Sequence, residues 1–86
     1  MRHNVDFILT DHAKKRLAQR KIRVEWVSAA LENPLTTEVD HNDPELMHAL
    51  LYVPERFKTL RVIYKDTTKP PYIVTAYFEE AKSYEA

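Results

Sequence analysis

The spacing of apolar positions changes once along this chain, close to Pro34. Before that point apolar residues recur three and four apart; after it they alternate or run together. Ala13 and Leu17 are four apart, and Val24, Val27, Ala30 and Leu31 continue the same helical period, with Trp26 beside them. That spacing predicts two amphipathic helices. Leu60 to Lys65 alternates, with Leu60, Val62 and Tyr64 on one face and Arg61, Ile63 and Lys65 on the other. Tyr72 to Phe78 alternates too: Tyr72, Val74, Ala76 and Phe78 against Ile73, Thr75 and Tyr77. These are strand periods.

Local signals set the element ends. Val5 to Leu9 reads as a short leading strand. Thr10 or Asp11 offers the oxygen that caps a helix N-terminus, and the first helix runs to Arg20-Lys21. Lys21 stands where a glycine would ordinarily close the helix, so a left-handed Lys21 is expected to carry strain of roughly 1 kcal/mol. The second helix covers Val24 to Asn33 and stops at Pro34, because the residue before proline is pushed out of the helical region. Thr36 to Asp40 is a strand, and His41 to Glu45 is a turn. Leu46 to Val53 is a long apolar strand ended by Pro54. Thr67 to Pro71 is a loop, and 79–86 a polar tail.

The order is strand, helix, helix, then a run of hairpin-joined strands. It predicts one α+β domain over 1–86, with an ordered core of about 5–78 and both helices on one face of a small antiparallel sheet. Leu60, Val62, Val74, Ala76 and Phe78 are expected to meet the helices. Arg61, Lys65, Thr75 and Tyr77 are expected on the opposite face or at its margin near the first helix.

Composition narrows the chemistry. The chain has no cysteine, hence no disulfide framework and no thiolate chemistry. No apolar run reaches the ~18 residues of a membrane span and no signal-peptide core leads the chain, so a cytoplasmic location and no membrane partner are expected. There is no glycine, where average usage would give about six, which excludes a P-loop or a dinucleotide fingerprint. His41 and His48 flank acids, but at spacings that match neither a zinc pair on a helix nor an EF-hand loop; no metal and no cofactor is expected. The five tyrosines are scattered over strands and read as sheet residues.

The formal net charge is zero, yet it is unevenly laid out. Lys14 to Arg23 holds six Lys or Arg and no acid; Glu38 to Glu45 holds four acids and no Lys or Arg. Within the basic stretch His12, Arg16 and Arg20 are four apart, so they share one stripe of the first helix beside the Ala13–Leu17 seam. Two roles fit that stripe. It can present cations to an anionic ligand, or it can pin the helix to the sheet, with His12 bonded to Thr75 and the arginines paired with Glu25, Glu32 or the acidic turn.

The chain also resembles a known family. A short strand leads into Thr10-x-His12-Ala13, with Arg16 and Arg20 following, then Ile22, a helix ending in Asn33-Pro34, and a last strand containing Thr75-Ala76-Tyr77. That pattern resembles domain-of-unknown-function family 4258 over about residues 5–78. Such families are grouped with the RelE/ParE-like toxins and, more broadly, with barnase- and EndoU-like ribonucleases. Lys21 departs from the pattern, which usually has glycine there.

The resemblance implies a RelE-like fold and a toxin of a toxin–antitoxin pair acting as a metal-independent endoribonuclease. RNA or the ribosome would be its target and a cognate antitoxin its partner. Such chemistry needs a base for the RNA 2′-OH, cations on the phosphorane, and an acid for the leaving oxygen. His12 fits the base, since the positive end of the helix dipole favours a neutral imidazole. Arg16 and Arg20 fit the phosphate, with Arg61, Lys65 and Thr75 as further substrate contacts. Tyr77 or Lys65 fits the acid. The alternative is a non-catalytic protein-interaction module of the same fold, in which the stripe is structural.

Overall fold

The structure is a computed structural model and describes residues 6–80. The elements follow in the order β1 (Ile8–Leu9), α1 (Asp11–Arg20), α2 (Val24–Glu32), β2 (Thr36–Val39), β3 (Leu46–Val53), β4 (Lys58–Lys65) and β5 (Tyr72–Glu80). A single 3-10 turn, Pro54–Arg56, joins β3 to β4. The two helices pack on one side of a five-stranded sheet of order β1-β5-β4-β3-β2. This is the α+β layout expected from the change of period.

α1 forms where capping and periodicity agree. Thr10 is extended (φ −68°, ψ 161°), and its Oγ1 accepts the Ala13 N–H at 3.0 Å. Such a cap contributes about 1 kcal/mol. Ala13 and Leu17 are buried and seat the helix against β5. Lys21 closes α1 in the left-handed region at φ 56°, ψ 45°, as the missing glycine implied. Its N–H and that of Ile22 take the last α1 carbonyls, and Ile22 turns back into the core. α2 buries Val27 and Ala30, with Trp26 and Leu31 partly covered. Val24 was expected on that apolar face but is 47% exposed. It is the first residue of the helix.

The core is continuous between the layers. Ala13, Leu17 and Ile22 meet Val27 and Ala30, and beneath them lie Ala49, Val53, Leu60, Val62, Ile73 and Ala76. β3, β4 and β5 form an antiparallel meander, with β2 on one edge.

The sheet departs from expectation in three places. It is not wholly antiparallel: β1 pairs parallel to β5 through Ile8–Tyr72 and Leu9–Ile73. β1 is also shorter than expected, and Val5 lies outside the described residues. Second, β5 contains a bulge. Ile63 pairs with Thr75 but Tyr64 pairs with Ile73, so Val74 is the extra residue. The bulge moves the inward set by one position. Ile73, not Val74, is fully buried beside Ala76. Third, Glu79 and Glu80 belong to β5, where cross-strand pairing with Thr59 and Lys58 extends it beyond Phe78. Residues 81–86 of the expected tail lie outside the described residues.

Lys21→Gly relieves the left-handed penalty but adds freedom to the unfolded chain. We expect a stability between unchanged and about 1 kcal/mol higher in urea unfolding. A drop in the midpoint would show that Lys21 is held there by something stronger than backbone geometry.

Candidate functional site

α1 lies along β5 beyond the point where β1 ends, and this sets the direction of its basic stripe. Past Ile73, β5 has no strand partner on that side among the described residues. Arg20 takes the place of one. Its Nη1 donates to the Ala76 carbonyl at 2.7 Å and to Thr75 Oγ1 at 3.4 Å. Thr10 Oγ1 likewise donates to the Ile73 carbonyl at 3.4 Å. Both ends of α1 are therefore tied to the same strand. Both acceptors of Arg20 are neutral, so its guanidinium is fixed in place and keeps its full charge.

His12 and Arg16 lie further out. His12 is exposed and Arg16 half-buried. Arg16 Nε donates to His12 Nε2 at 3.4 Å, and its Nη1 to Gln19 Oε1 at 3.2 Å. An arginine can only donate, so His12 Nε2 is the acceptor of this bond. The pinning arrangement foreseen for the stripe is thus only partly present. Thr75 is bonded by Arg20, not His12, and neither arginine pairs with Glu25, Glu32 or the acidic turn.

The sheet face away from the helices carries a second polar cluster that the sequence did not announce. Arg61 of β4 makes a bidentate pair with Glu79 of β5, Nε to Oε1 at 2.9 Å and Nη2 to Oε2 at 3.1 Å. Its Nη1 donates to Glu38 of β2 at 3.1 Å and to His48 Nδ1 of β3 at 2.8 Å. The other ring nitrogen, Nε2, is 2.7 Å from Asp40 Oδ1. Since Arg61 can only donate, Nδ1 accepts and Nε2–H donates to Asp40. The Asp40–His48–Arg61–Glu38/Glu79 chain crosses four strands and occupies both nitrogens of His48. The residues are distant in sequence and no motif links them; only strand register brings them together. The one available signal was the alternation that puts Arg61 and Glu79 on the same face.

Charge in this cluster is well matched. Arg61 is held protonated far above its ordinary range, first by its hydrogen bonds to Glu79, with burial opposing and Glu38 adding. Lys65 pairs with Glu45 at 3.3 Å, and that bond is the main cause of its raised pKa, which weakens it as a proton donor. Arg61 and Lys65 thus have their charge met by carboxylates within the fold. Tyr77 sits cross-strand from Arg61, half-buried, two residues beyond Thr75 on β5. Arg20 and Thr75 meet at the α1–β5 margin, with Arg16 and His12 further out on α1, whereas Tyr77 lies beside Arg61 on the sheet face away from the helices and Arg61 and Lys65 belong to the cross-strand ion pairs.

A family model matches residues 9–78, from the end of β1 through the Thr75–Tyr77 stretch, under the description domain of unknown function (DUF4258). The chain belongs to the DUF4258 family. The match takes in the α1 stripe and all of the cross-strand cluster of this DUF4258 domain except Glu79. No curated protein and no solved structure matches it. Among its described residues no helix is long and apolar enough to cross a membrane. Nor does any group of three or more His, Cys, Asp or Glu among them form a metal cluster.

Asp40 gives a pH test of the cluster. Its carboxyl is held below its ordinary value, first by the His48 hydrogen bond and then by the Asn42 N–H. A pKa depressed on folding adds stability above the unfolded value of about 4, and loses it as pH falls through the folded value. Urea midpoints of the wild type should therefore fall on acidification below about pH 4. Asp40→Asn should have a lower midpoint at pH 6 and a shallower acid slope. Equal slopes in the two proteins would remove Asp40 from the account.

Proposed function

We propose that this DUF4258 domain is a RelE-like, metal-independent endoribonuclease, the toxin of a toxin–antitoxin pair acting on RNA in the cytoplasm. One observation carries the reading. Among the described residues, every cation of the α1 face is without a carboxylate partner, and Arg20 is immobilised by neutral oxygens alone. A fixed, uncompensated guanidinium is what a phosphate site needs, because it costs no reorganisation when the anion arrives.

The roles are assigned from the chemistry of the side chains. His12 Nε2 takes the proton of the 2′-OH once Arg16 turns from it to the phosphate. The 2′-oxygen attacks phosphorus, Arg16 and Arg20 hold the phosphorane charge, and the P–O5′ bond breaks. Tyr77 O–H protonates the departing 5′-oxygen, leaving a 2′,3′-cyclic phosphate and a 5′-hydroxyl. Thr75 orients Arg20. Arg61 and Lys65, neutralised by Glu79, Glu38 and Glu45, shape the sheet and do not reach for substrate in this reading. The near-neutral overall charge weakens unspecific RNA binding, which favours cleavage on a ribosome or other carrier.

A second reading rests on the Arg20–Ala76 bond, which also ties α1 to the sheet. It makes the domain a non-catalytic interaction module. Induced expression of wild type and His12→Ala, scoring growth and RNA integrity together, separates the two. His12 is exposed, so its removal should leave thermal stability unchanged. Cleavage should fall by about 10²–10⁴, the usual weight of a general base. Intact RNA on wild-type expression, or equal cleavage by His12→Ala, would favour the module.

A further inference from the structure

The end of the molecule opposite His12 carries an aromatic group with no structural use for its ring. Phe57 follows the 3-10 turn between β3 and β4 and is 78% exposed, the most exposed of the large apolar residues. Its backbone is left-handed at φ 55°, ψ 33°. A bulky side chain there is an outlier, and the strain is of order 1 kcal/mol. The turn itself needs only the Phe57 N–H, which donates to the Pro54 carbonyl at 3.1 Å. An asparagine would supply that bond at less strain and without leaving a ring in water.

Phe57 stands between two cations, Arg56 and Lys58, with Glu55 two positions back and Glu80 cross-strand from Lys58. Arg56 Nη1 donates to the Lys21 carbonyl at 3.1 Å, which fastens the β3–β4 turn to the α1–α2 junction. The Arg56 guanidinium lies 4.6 Å from the Phe78 ring centre. Phe78 meets Trp26 edge-on at 5.8 Å, and Arg23 lies 5.8 Å from the Trp26 ring. This row holds the turn, the helix junction and the last strand as one unit. Arg56 and Lys58 flank Phe57 in sequence, Lys21 is joined to Arg56 through its carbonyl, and Arg23 lies at the Trp26 end of the row; none of the four forms an ion pair among the described residues. The patch continues the basic face of α1, which is about 15 Å long at 1.5 Å per residue.

We propose that Phe57 is a stacking platform for an unpaired base of single-stranded RNA, with Lys21, Arg23, Arg56 and Lys58 along its phosphates. The proposal rests on the reading of the α1 face as an RNA site and gives that site its substrate form. Unpaired bases expose a π-face of any sequence, and ring plus cations is the combination that binds them. A strand with one phosphate at Arg16–Arg20 would reach Phe57 within a few nucleotides. Duplex RNA offers no free base to the ring.

The test is fluorescence anisotropy with a short labelled oligouridine and a blunt duplex of equal length. Phe57→Ala should weaken oligouridine binding about five- to one-hundred-fold, from the usual weight of one base–aromatic stack. Phe57→Trp should retain binding. Phe57→Asn should lose it while its thermal midpoint stays level or rises, which excludes misfolding as the cause. Equal affinity of Phe57→Ala and wild type overturns the platform, as does a wild-type preference for the duplex or no binding of oligouridine. Phe57-dependent binding without His12-dependent cleavage leaves the platform standing and removes the ribonuclease. Cleavage that depends on His12 but not Phe57 does the reverse.

Discussion

The contact on which the site depends is the one between Arg20 and the backbone of β5. A strand whose edge is not paired along its length must have its carbonyls met by something else. β1 supplies two positions and stops at Ile73. Arg20 takes the next exposed acceptor, Ala76 O, while Thr10 holds the Ile73 carbonyl from the other end of α1. Two anchors a helix-length apart fix both the axial position and the roll of α1. With the roll fixed, Ala13 and Leu17 go down into the core, and His12 and Arg16 are left on the flank toward solvent. The arrangement of the stripe is thus a consequence of how the sheet edge is closed.

A second constraint is the partition of charge. The chain is neutral as a whole, but among the described residues its ion pairs lie on the sheet, Arg61 with Glu38 and Glu79 and Lys65 with Glu45, and His48 adds a hydrogen bond to Asp40. These acids satisfy the sheet cations and are spent there. The α1 cations and those of the neighbouring turn then have no carboxylate within the described fold. Neutrality in composition and a strongly basic face are therefore compatible, because charges cancel through contacts and not through sums. The pairs on the sheet also differ in kind. Arg61 has a side-chain exposure of 14% and binds Glu79 bidentately, so truncating it would remove two charge-assisted hydrogen bonds from a partly buried carboxylate. The Lys65–Glu45 pair is solvated and contributes little.

Much of this was legible in the sequence because it is local. The Thr10 cap, the left-handed Lys21, the stop at Pro34 and the strand of Leu46 to Val53 each depend on neighbours within a turn or a pleat. The errors share one cause. The Val74 bulge, the parallel β1 and the length of β5 are decided by pairing with residues far along the chain. At Val74 alternation continued one residue too far, because nothing in Ile73-Val74-Thr75 marks where an extra residue enters. The candidate site shows the same limit. Helical spacing gave the common stripe of His12, Arg16 and Arg20, but not that Arg20 binds a backbone carbonyl. Alternation put Arg61 and Lys65 on the open face, but not that Glu38, Glu79 and Glu45 meet them there.

The absence of glycine makes the two left-handed residues informative in different degrees. Both Lys21 and Phe57 sit where glycine is the least strained choice, so strain by itself follows from composition. What separates them is the side chain. Lys21 closes α1, its carbonyl receives Arg56, and its chain extends into water as any surface lysine does. The position would be served by many residues, and lysine adds only charge to a face already basic. Phe57 closes the β3–β4 turn through its backbone N–H, and its ring is then left largely in water, between Arg56 and Lys58 in the sequence. The aromatic packing of this end is made by Phe78 and Trp26 with Arg56, and the Phe57 ring has no part in it. A residue that costs strain and exposes most of a large apolar ring among the described residues is accounted for by a contact outside the fold. The cations around it select a partner that carries negative charge and flat rings together.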